Sequence, residues 1–356
     1  MYAKWESSQT PTNFRLYSVP QKKMNCGVMK TALEALTCKS AALRDEKGNG
    51  SVSYRKTPLL NRIYQTRSSL MHKLVSNGLK AIELGDSTQS VPQLLILGVG
   101  LDTSYNSYCD RTFAVDFAEV IEQQSAANNS DGRQINLVVG DLRQADIMLD
   151  DLLKVGFDPS LQTLILLECV LSYVEPLAAQ TLLFTLATRL ANAVLVMYDP
   201  VLPFHNVHGA GLAAMMHQKF EERGAPLLSC AHSVEQYGLN LRQAGWKHVT
   251  ALSVNQAARL FMSAAERKAG VLAEPFDEFA SLALLQNYYA IGVASTNKRV
   301  FQRLYEGLIA GKTSTLEREQ AVWDRIALAE ARLKSIESYK LQQSITEKKN
   351  QPTTRS

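Results

Sequence analysis

Residues 94–105 read LLILGVGLDTSY, an apolar run that breaks on Gly98 and Gly100 and ends in Asp102 and Tyr105. An apolar stretch of this length, closed by two glycines and an acid, is the pattern of a buried strand that stops at a ligand. In an open α/β sheet, ligands bind beyond the carboxyl ends of the strands, where the strand order reverses. This glycine turn is therefore the point from which both fold and site are read.

Working outward from it, short apolar runs alternate with longer amphipathic segments. The strands are expected at 94–99, 112–117, 135–140, 163–169, 193–198, 248–254 and 288–295. Continuous apolar runs such as TLILLEC suit strands covered on both faces, so the centre of the sheet should be parallel. The intervening AEVIEQQSAANN, EPLAAQTLLFTLATRLAN, AGLAAMMHQKFEERG and SVEQYGLNLRQAGW read as helices, with Gly245 as a stop. Strand–helix alternation of this kind predicts an α/β fold: a Rossmann-like, seven-stranded doubly wound sheet. Its boundaries are placed as follows. Residues 1–25 form an unstructured leader, 26–90 an N-terminal helical lid, 91–298 the core, and 299–356 a charged C-terminal helix and tail.

Composition narrows the function classes. Of 356 residues, 46% are hydrophobic, enough to build a sizeable core. No apolar run reaches the ~18 residues a membrane span needs, so no membrane partner is expected and a cytoplasmic location is. The formal charge of +4 is concentrated at the end, where residues 301–356 hold ten Lys/Arg against seven Asp/Glu. The nearly neutral remainder disfavours a broad nucleic-acid surface. Five widely spaced cysteines form neither a disulfide framework nor a zinc motif. His205, His208 and His217 have no acid or cysteine at ligand spacing, so no metal is expected.

The strand ends carry the chemistry. G-x-G-x-D lacks the third glycine of a dinucleotide fingerprint, and Leu101 to Tyr105 cannot present a row of N–H groups to a pyrophosphate. Asp116 closes the second strand, where an acid accepts ribose hydroxyls. Asp141 and Leu142 follow the third, where an adenine edge can be read, and Glu168 ends the fourth. Acids at successive strand ends beside a glycine turn describe a pocket for a cationic nucleoside, and S-adenosylmethionine is such a molecule.

LLILGVGLDTSY, FAVDFAEVI, GDLRQ and LLECVLSYVEP together resemble, in order, the core of the leucine carboxyl methyltransferase family. The resemblance extends through YDPVLPFHNVHGAGLAAMMHQKFEERGAPL, LRQAGW and EPFDEFASLALLQNYYAIGVAS, covering about residues 36–296. It implies a class I fold using S-adenosylmethionine. It further implies that Lys39 and Arg67 hold the methionine carboxylate, Gly98 the ammonium, Asp116 the ribose, and Asp141 with Leu142 the adenine. Glu168 is then expected near the ammonium and sulfonium. Arg67 and the Tyr173 hydroxyl are expected to orient the acceptor. Where relatives carry a D-P-Y patch, this chain has RDEKGNGSVSYRKTP, and Ala118 replaces a proline common after V-D-F.

The substrate implied is the C-terminal leucine carboxylate of a type 2A protein phosphatase catalytic subunit. Such a carboxylate, with a pKa near ~3.5, is already ionised and needs no general base, so catalysis reduces to alignment and exclusion of water. Three alternatives stand beside it. A wybutosine-pathway tRNA carboxyl methyltransferase would call for many phosphate contacts and usually continues into a β-propeller. A small-molecule O-methyltransferase would want a closed apolar pocket. A binding module without turnover would keep the cofactor residues alone.

Overall fold

The computed structural model describes residues 21–44, 56–83, 91–128, 135–202, 210–267 and 276–309. Seven strands form one sheet in the order β3-β2-β1-β4-β5-β7-β6. They span Gln93–Leu97 (β1), Thr112–Asp116 (β2), Asn136–Val139 (β3), Thr163–Glu168 (β4), Ala193–Pro200 (β5), His248–Ser253 (β6) and Tyr289–Ser295 (β7). All seven fall where the apolar runs placed them. β1 to β5 pair in parallel, and β7 runs antiparallel between β5 and β6. The order reverses between β1 and β4, which puts the crevice of an open sheet at the end of LLILGVG.

Strand periodicity divides the core into two layers. Leu95, Leu97, Phe113, Val115, Ile165, Leu167, Leu195 and Met197 face one side. There they meet α4 (Ala145–Lys154), α5 (Pro176–Arg189) and α7 (Val234–Gln243). Leu94, Ile96, Ala114, Leu164, Leu166, Val194 and Val196 face the other. That face is covered by α2 (Pro58–Glu83), α8 (Val254–Phe261) and α10 (Lys298–Ile309), with Ile121 of α3 (Ala118–Asn128) at its margin. Every residue of β1, β2 and β5 is buried, as a strand covered on both faces demands. Removing one such leucine to alanine typically costs about 2–5 kcal/mol. α7 ends where Gly245, at φ 93°, leaves the helix, as its position before Trp246 predicts.

Three expectations are adjusted. α1 (Gln21–Arg44) begins inside the stretch taken to be unstructured, because QKKM continues the helix-forming sequence backward. α2 packs into the core layer as well as lining the cavity: Leu70, Met71 and Leu74 have no exposure. Its Gly78 lies so close to β4 that a Cβ there would sit 2.3 Å from Leu164 Cδ1. Residues of both α1 and α2 reach the strand ends. α8 and α9 (Phe279–Gln286) lie between the last two strands, α10 opens the C-terminal helical segment, and α4 is an additional helix. α8 has a full capping box, Ser253 with Gln256, that the sequence displays as S-V-N-Q. The D-P-Y replacement at 45–55, His205, His208 and the part of the expected C-terminal helix and tail beyond residue 309 lie outside the described residues.

Candidate active site

A cavity of about 250 Å³ opens at the β1/β4 switch point. Lys39, Arg67, Gly98, Asp116, Asp141, Leu142, Glu168 and Tyr173, the eight residues singled out from sequence, all line it. They come from α1, α2, the ends of β1, β2, β3 and β4, and the 3-10 turn Leu171–Tyr173.

The glycine turn is built by its neighbours. Gly98 has φ +70° and Gly100 φ +58°, a region where a side chain is strained. A Cβ on Gly98 would also lie 2.6 Å from Val170 Cγ2, so the strand-four exit packs directly on the turn. Gly100 N–H donates to Asp116 Oδ2 at 2.8 Å, and Phe117 N–H to Oδ1 at 2.8 Å. Each carboxylate oxygen keeps a lone pair for a further donor. Burial pushes Asp116 up to about 6, against the opposing effect of those two N–H groups. Gln124 Nε2 closes the turn by donating to the Gly100 and Asp102 carbonyls at 2.9 and 3.2 Å.

Four ion pairs line the cavity among the described residues. Arg67 Nε donates to Glu168 Oε1 at 2.6 Å, with the two side chains 14% and 12% exposed. The Tyr105 hydroxyl donates to Glu168 Oε2 at 2.8 Å. Burial acts against the Glu168 carboxylate, but Arg67, Lys39 and Tyr105 outweigh it and bring the group down to about 2. Arg67 is sandwiched by Tyr64 and Tyr198, at 5.5 and 4.8 Å from their ring centroids. Lys39 pairs with Asp102 and donates to Ser104 Oγ at 3.3 Å. Arg143 clasps Asp141 through Nε and Nη2, at 2.6 to 3.0 Å. Arg223 pairs with Glu34 at 2.9 Å near the opening.

Asp102, Tyr105, Tyr64 and Arg143 were not assigned roles from sequence. Asp102 and Arg143 stand inside the motifs GVGLD and GDLR and were within reach of the same reasoning. Tyr105 and Tyr64 carry no spacing signal, because they meet Glu168 and Arg67 only through the tertiary fold.

The residues present fit S-adenosylmethionine. Side-by-side cation and acid pairs, Lys39 with Asp102 and Arg67 with Glu168, match a zwitterionic amino acid group. Asp116 at the end of β2 matches a ribose diol, and the bare Gly98–Gly100 backbone permits close approach. No cluster of unpaired cations for a pyrophosphate appears among the described residues lining the cavity.

Residues 28–187 match the family described as leucine carboxyl methyltransferase. The chain is 30% identical over 274 residues to tRNA wybutosine-synthesizing protein 4 of Rattus norvegicus, covering 68% of this chain and 39% of that protein. It is 25% identical over 303 residues to leucine carboxyl methyltransferase 1 of Schizosaccharomyces pombe, covering 76% and 94%. The chain thus spans about two fifths of the length of the rat and human wybutosine-synthesizing relatives it matches. A solved candidate methyltransferase from Thermobifida fusca superposes with a TM-score of 0.47 at 17% identity, over 73% of this chain and 93% of that one. The stretch that builds the glycine turn, the Arg67–Glu168 pair and Asp116 is thus similar to the leucine carboxyl methyltransferase family.

Proposed function

We propose that the protein is an S-adenosylmethionine-dependent carboxyl O-methyltransferase whose acceptor is the C-terminal leucine carboxylate of a type 2A protein phosphatase catalytic subunit. One observation carries the reading: residues from two helices and four strand ends converge on a single cavity whose charges are arranged as adjacent opposite pairs. When bound, S-adenosylmethionine supplies an electrophilic methyl group on a positively charged sulfur.

The chain's own residues would then divide the work. Asp116 holds the ribose with the lone pairs its backbone donors leave. Asp141 and Leu142 border the adenine position. Lys39 and Arg67 receive the amino acid carboxylate, while Glu168 and the Gly98 carbonyl receive the ammonium. Tyr173 and Arg67 orient the acceptor. A carboxylate acceptor arrives ionised, so no side chain need remove a proton. Glu168, held near 2, stays anionic throughout the neutral range and is unsuited to act as a base. The aromatic wall of Tyr64, Tyr173, Tyr198 and Tyr289 around Arg67 excludes water, which favours a step in which opposite charges cancel.

The experiment supplies labelled methyl donor with either the phosphatase catalytic subunit or a wybutosine-precursor tRNA. Label on the phosphatase that leaves as methanol in mild alkali is the expected result. Alkali-stable label would exclude a carboxyl ester, and transfer to the tRNA alone would move the acceptor to the wybutosine pathway.

A further inference from the structure

Asp199, near the end of β5, has a relative exposure of 3% and lies behind the cavity wall, not on it. Its Oδ1 accepts the Val170 N–H at 3.2 Å, and its Oδ2 accepts the Tyr237 hydroxyl of α7 at 3.1 Å. The Ser172 N–H bonds to it as well. Val170 and Ser172 belong to the chain leaving β4, between Glu168 and Tyr173. That exit is unusual in its backbone. Cys169 has φ 59°, the one non-glycine residue with positive φ among those described, and its N–H donates to the Tyr198 carbonyl at 2.6 Å. Such a conformation persists only where the surroundings over-determine it. Val170 carries the constraint onward, since its side chain fills the space a Gly98 Cβ would need. A continuous line of contact therefore runs from Tyr237 through Asp199 and Val170 to the glycine turn.

Among the described residues no ion pair to Asp199 is found within 4.0 Å. Burial pushes it up to about 7, against the pull of Tyr237, the Ser172 and Val170 N–H groups and Arg67. Cys169, Tyr173 and Cys230 also lie within its electrostatic reach. An apolar residue would be easier to bury there than an acid, so what explains Asp199 is the set of donors it holds.

We propose that Asp199 is a positioning residue that pins the β4 exit turn, seating Val170 against Gly98 and fixing where Glu168 and Tyr173 enter the cavity. Its effect on the donor rests on the cofactor reading above. It acts through backbone hydrogen bonds to the turn and touches neither donor nor acceptor.

The test uses the full-length protein and its Asp199→Ala, Asp199→Asn and Tyr237→Phe variants. Affinity for S-adenosylhomocysteine is measured by calorimetry, amide hydrogen exchange is followed over 169–174, and thermal melting checks folding. Asp199→Ala strands a buried N–H and is expected to weaken binding about tenfold or more, with faster exchange in the turn. In Asp199→Asn the amide oxygen still accepts from Val170 and the NH2 group can donate to the Tyr237 oxygen, so binding is expected within about threefold of wild type. Tyr237→Phe, which removes one of the donors, is expected to fall between them, and it carries the comparison with Asp199→Asn if the alanine variant does not fold. Wild-type affinity and exchange in a folded Asp199→Ala overturn the proposal, as does Asp199→Asn binding as poorly as Asp199→Ala. If wild type itself fails to bind S-adenosylhomocysteine, the cofactor reading falls, and the exchange data alone decide whether Asp199 holds the turn.

Discussion

The two ends of the cavity are built by different means. At the strand-end side, backbone does most of the work: Gly98 and Gly100 are shaped by their own dihedrals and by Asp116. Arg67 and Glu168 are locked by a 2.6 Å bond at 14% and 12% exposure. At the opening, side chains on α6 (Ala210–Glu222) and α1 make the wall. There Tyr173 meets Phe220 with ring centroids 6.0 Å apart, and Arg223 and Glu34 pair at 38% and 41% exposure. A charge pair in the first setting is expensive to leave half-made, whereas one in the second is screened by solvent. Under the proposed function, donor recognition would fall to the rigid end and acceptor choice to the end that substitution can change cheaply.

The strongest way to break that contrast is to remove one partner of the buried pair. Arg67→Met leaves Glu168 in low dielectric without its cation, a change that typically costs about 3–5 kcal/mol. A large drop in melting temperature and loss of S-adenosylhomocysteine binding in calorimetry are expected. Arg223→Met at the opening should shift melting little. Equal losses in the two variants would abolish the distinction between the ends. Next in size is Gly98→Ala. It combines positive φ with a Cβ 2.6 Å from Val170 Cγ2, and strain of this kind is of order 1–3 kcal/mol. Donor affinity should fall by about tenfold or more while the far-ultraviolet spectrum is kept. Wild-type affinity would show that Val170 can yield.

The same contrast explains what the sequence disclosed. The strand ends were legible because local rules govern them. An apolar run fixes each strand, a glycine fixes the turn, and the residue that follows a strand must lie at the sheet's carboxyl edge. Asp116, Asp141 and Glu168 were located in this way, and Lys39, Arg67 and Tyr173 through the family resemblance. The partners across the cavity were not legible. Tyr105 reaches Glu168 from 63 positions away, Arg67 from 101, and Asp199 meets Tyr237 from 38. No pattern of period two or 3.6 encodes such meetings. The packing of α2 against the sheet was not legible for a related reason: amphipathicity shows that a helix has a buried face but not which surface buries it.

Acidity separates two carboxylates at the rigid end in opposite senses. Glu168 is brought from 4.5 to about 2, so its ionised form stabilises the fold above pH 4.5, and that contribution is lost as pH falls toward 2. Asp116 is raised from 3.8 to about 6. Between those values the native state holds a proton that the unfolded chain has released, so through this group stability decreases as pH rises across the window. If Asp116 accepts the ribose hydroxyls as proposed, donor binding needs its ionised form. Affinity for S-adenosylhomocysteine is therefore expected to decline as pH drops through about 6, by up to about tenfold per further unit. Asp116→Asn should bind weakly at every pH and lose that inflection. A wild-type profile flat from pH 7.5 to 5 would remove Asp116 from the ribose.

The smallest effect tests the opening alone. The Tyr173 ring lines the cavity and tilts against Phe220, while its N–H donates to the Val170 carbonyl, so its backbone is held by the same turn that carries Glu168. Tyr173→Phe keeps the ring and its packing and removes only the hydroxyl. A hydrogen bond from this hydroxyl to an ionised acceptor carboxylate contributes about 1–2 kcal/mol, or roughly a five- to thirtyfold change. If the hydroxyl orients the acceptor, kcat/KM for the phosphatase substrate should fall within that range, with S-adenosylhomocysteine affinity unchanged because no donor group is lost. A fall in donor affinity would place the hydroxyl at the rigid end after all, and unchanged kinetics would reduce Tyr173 to an aromatic wall.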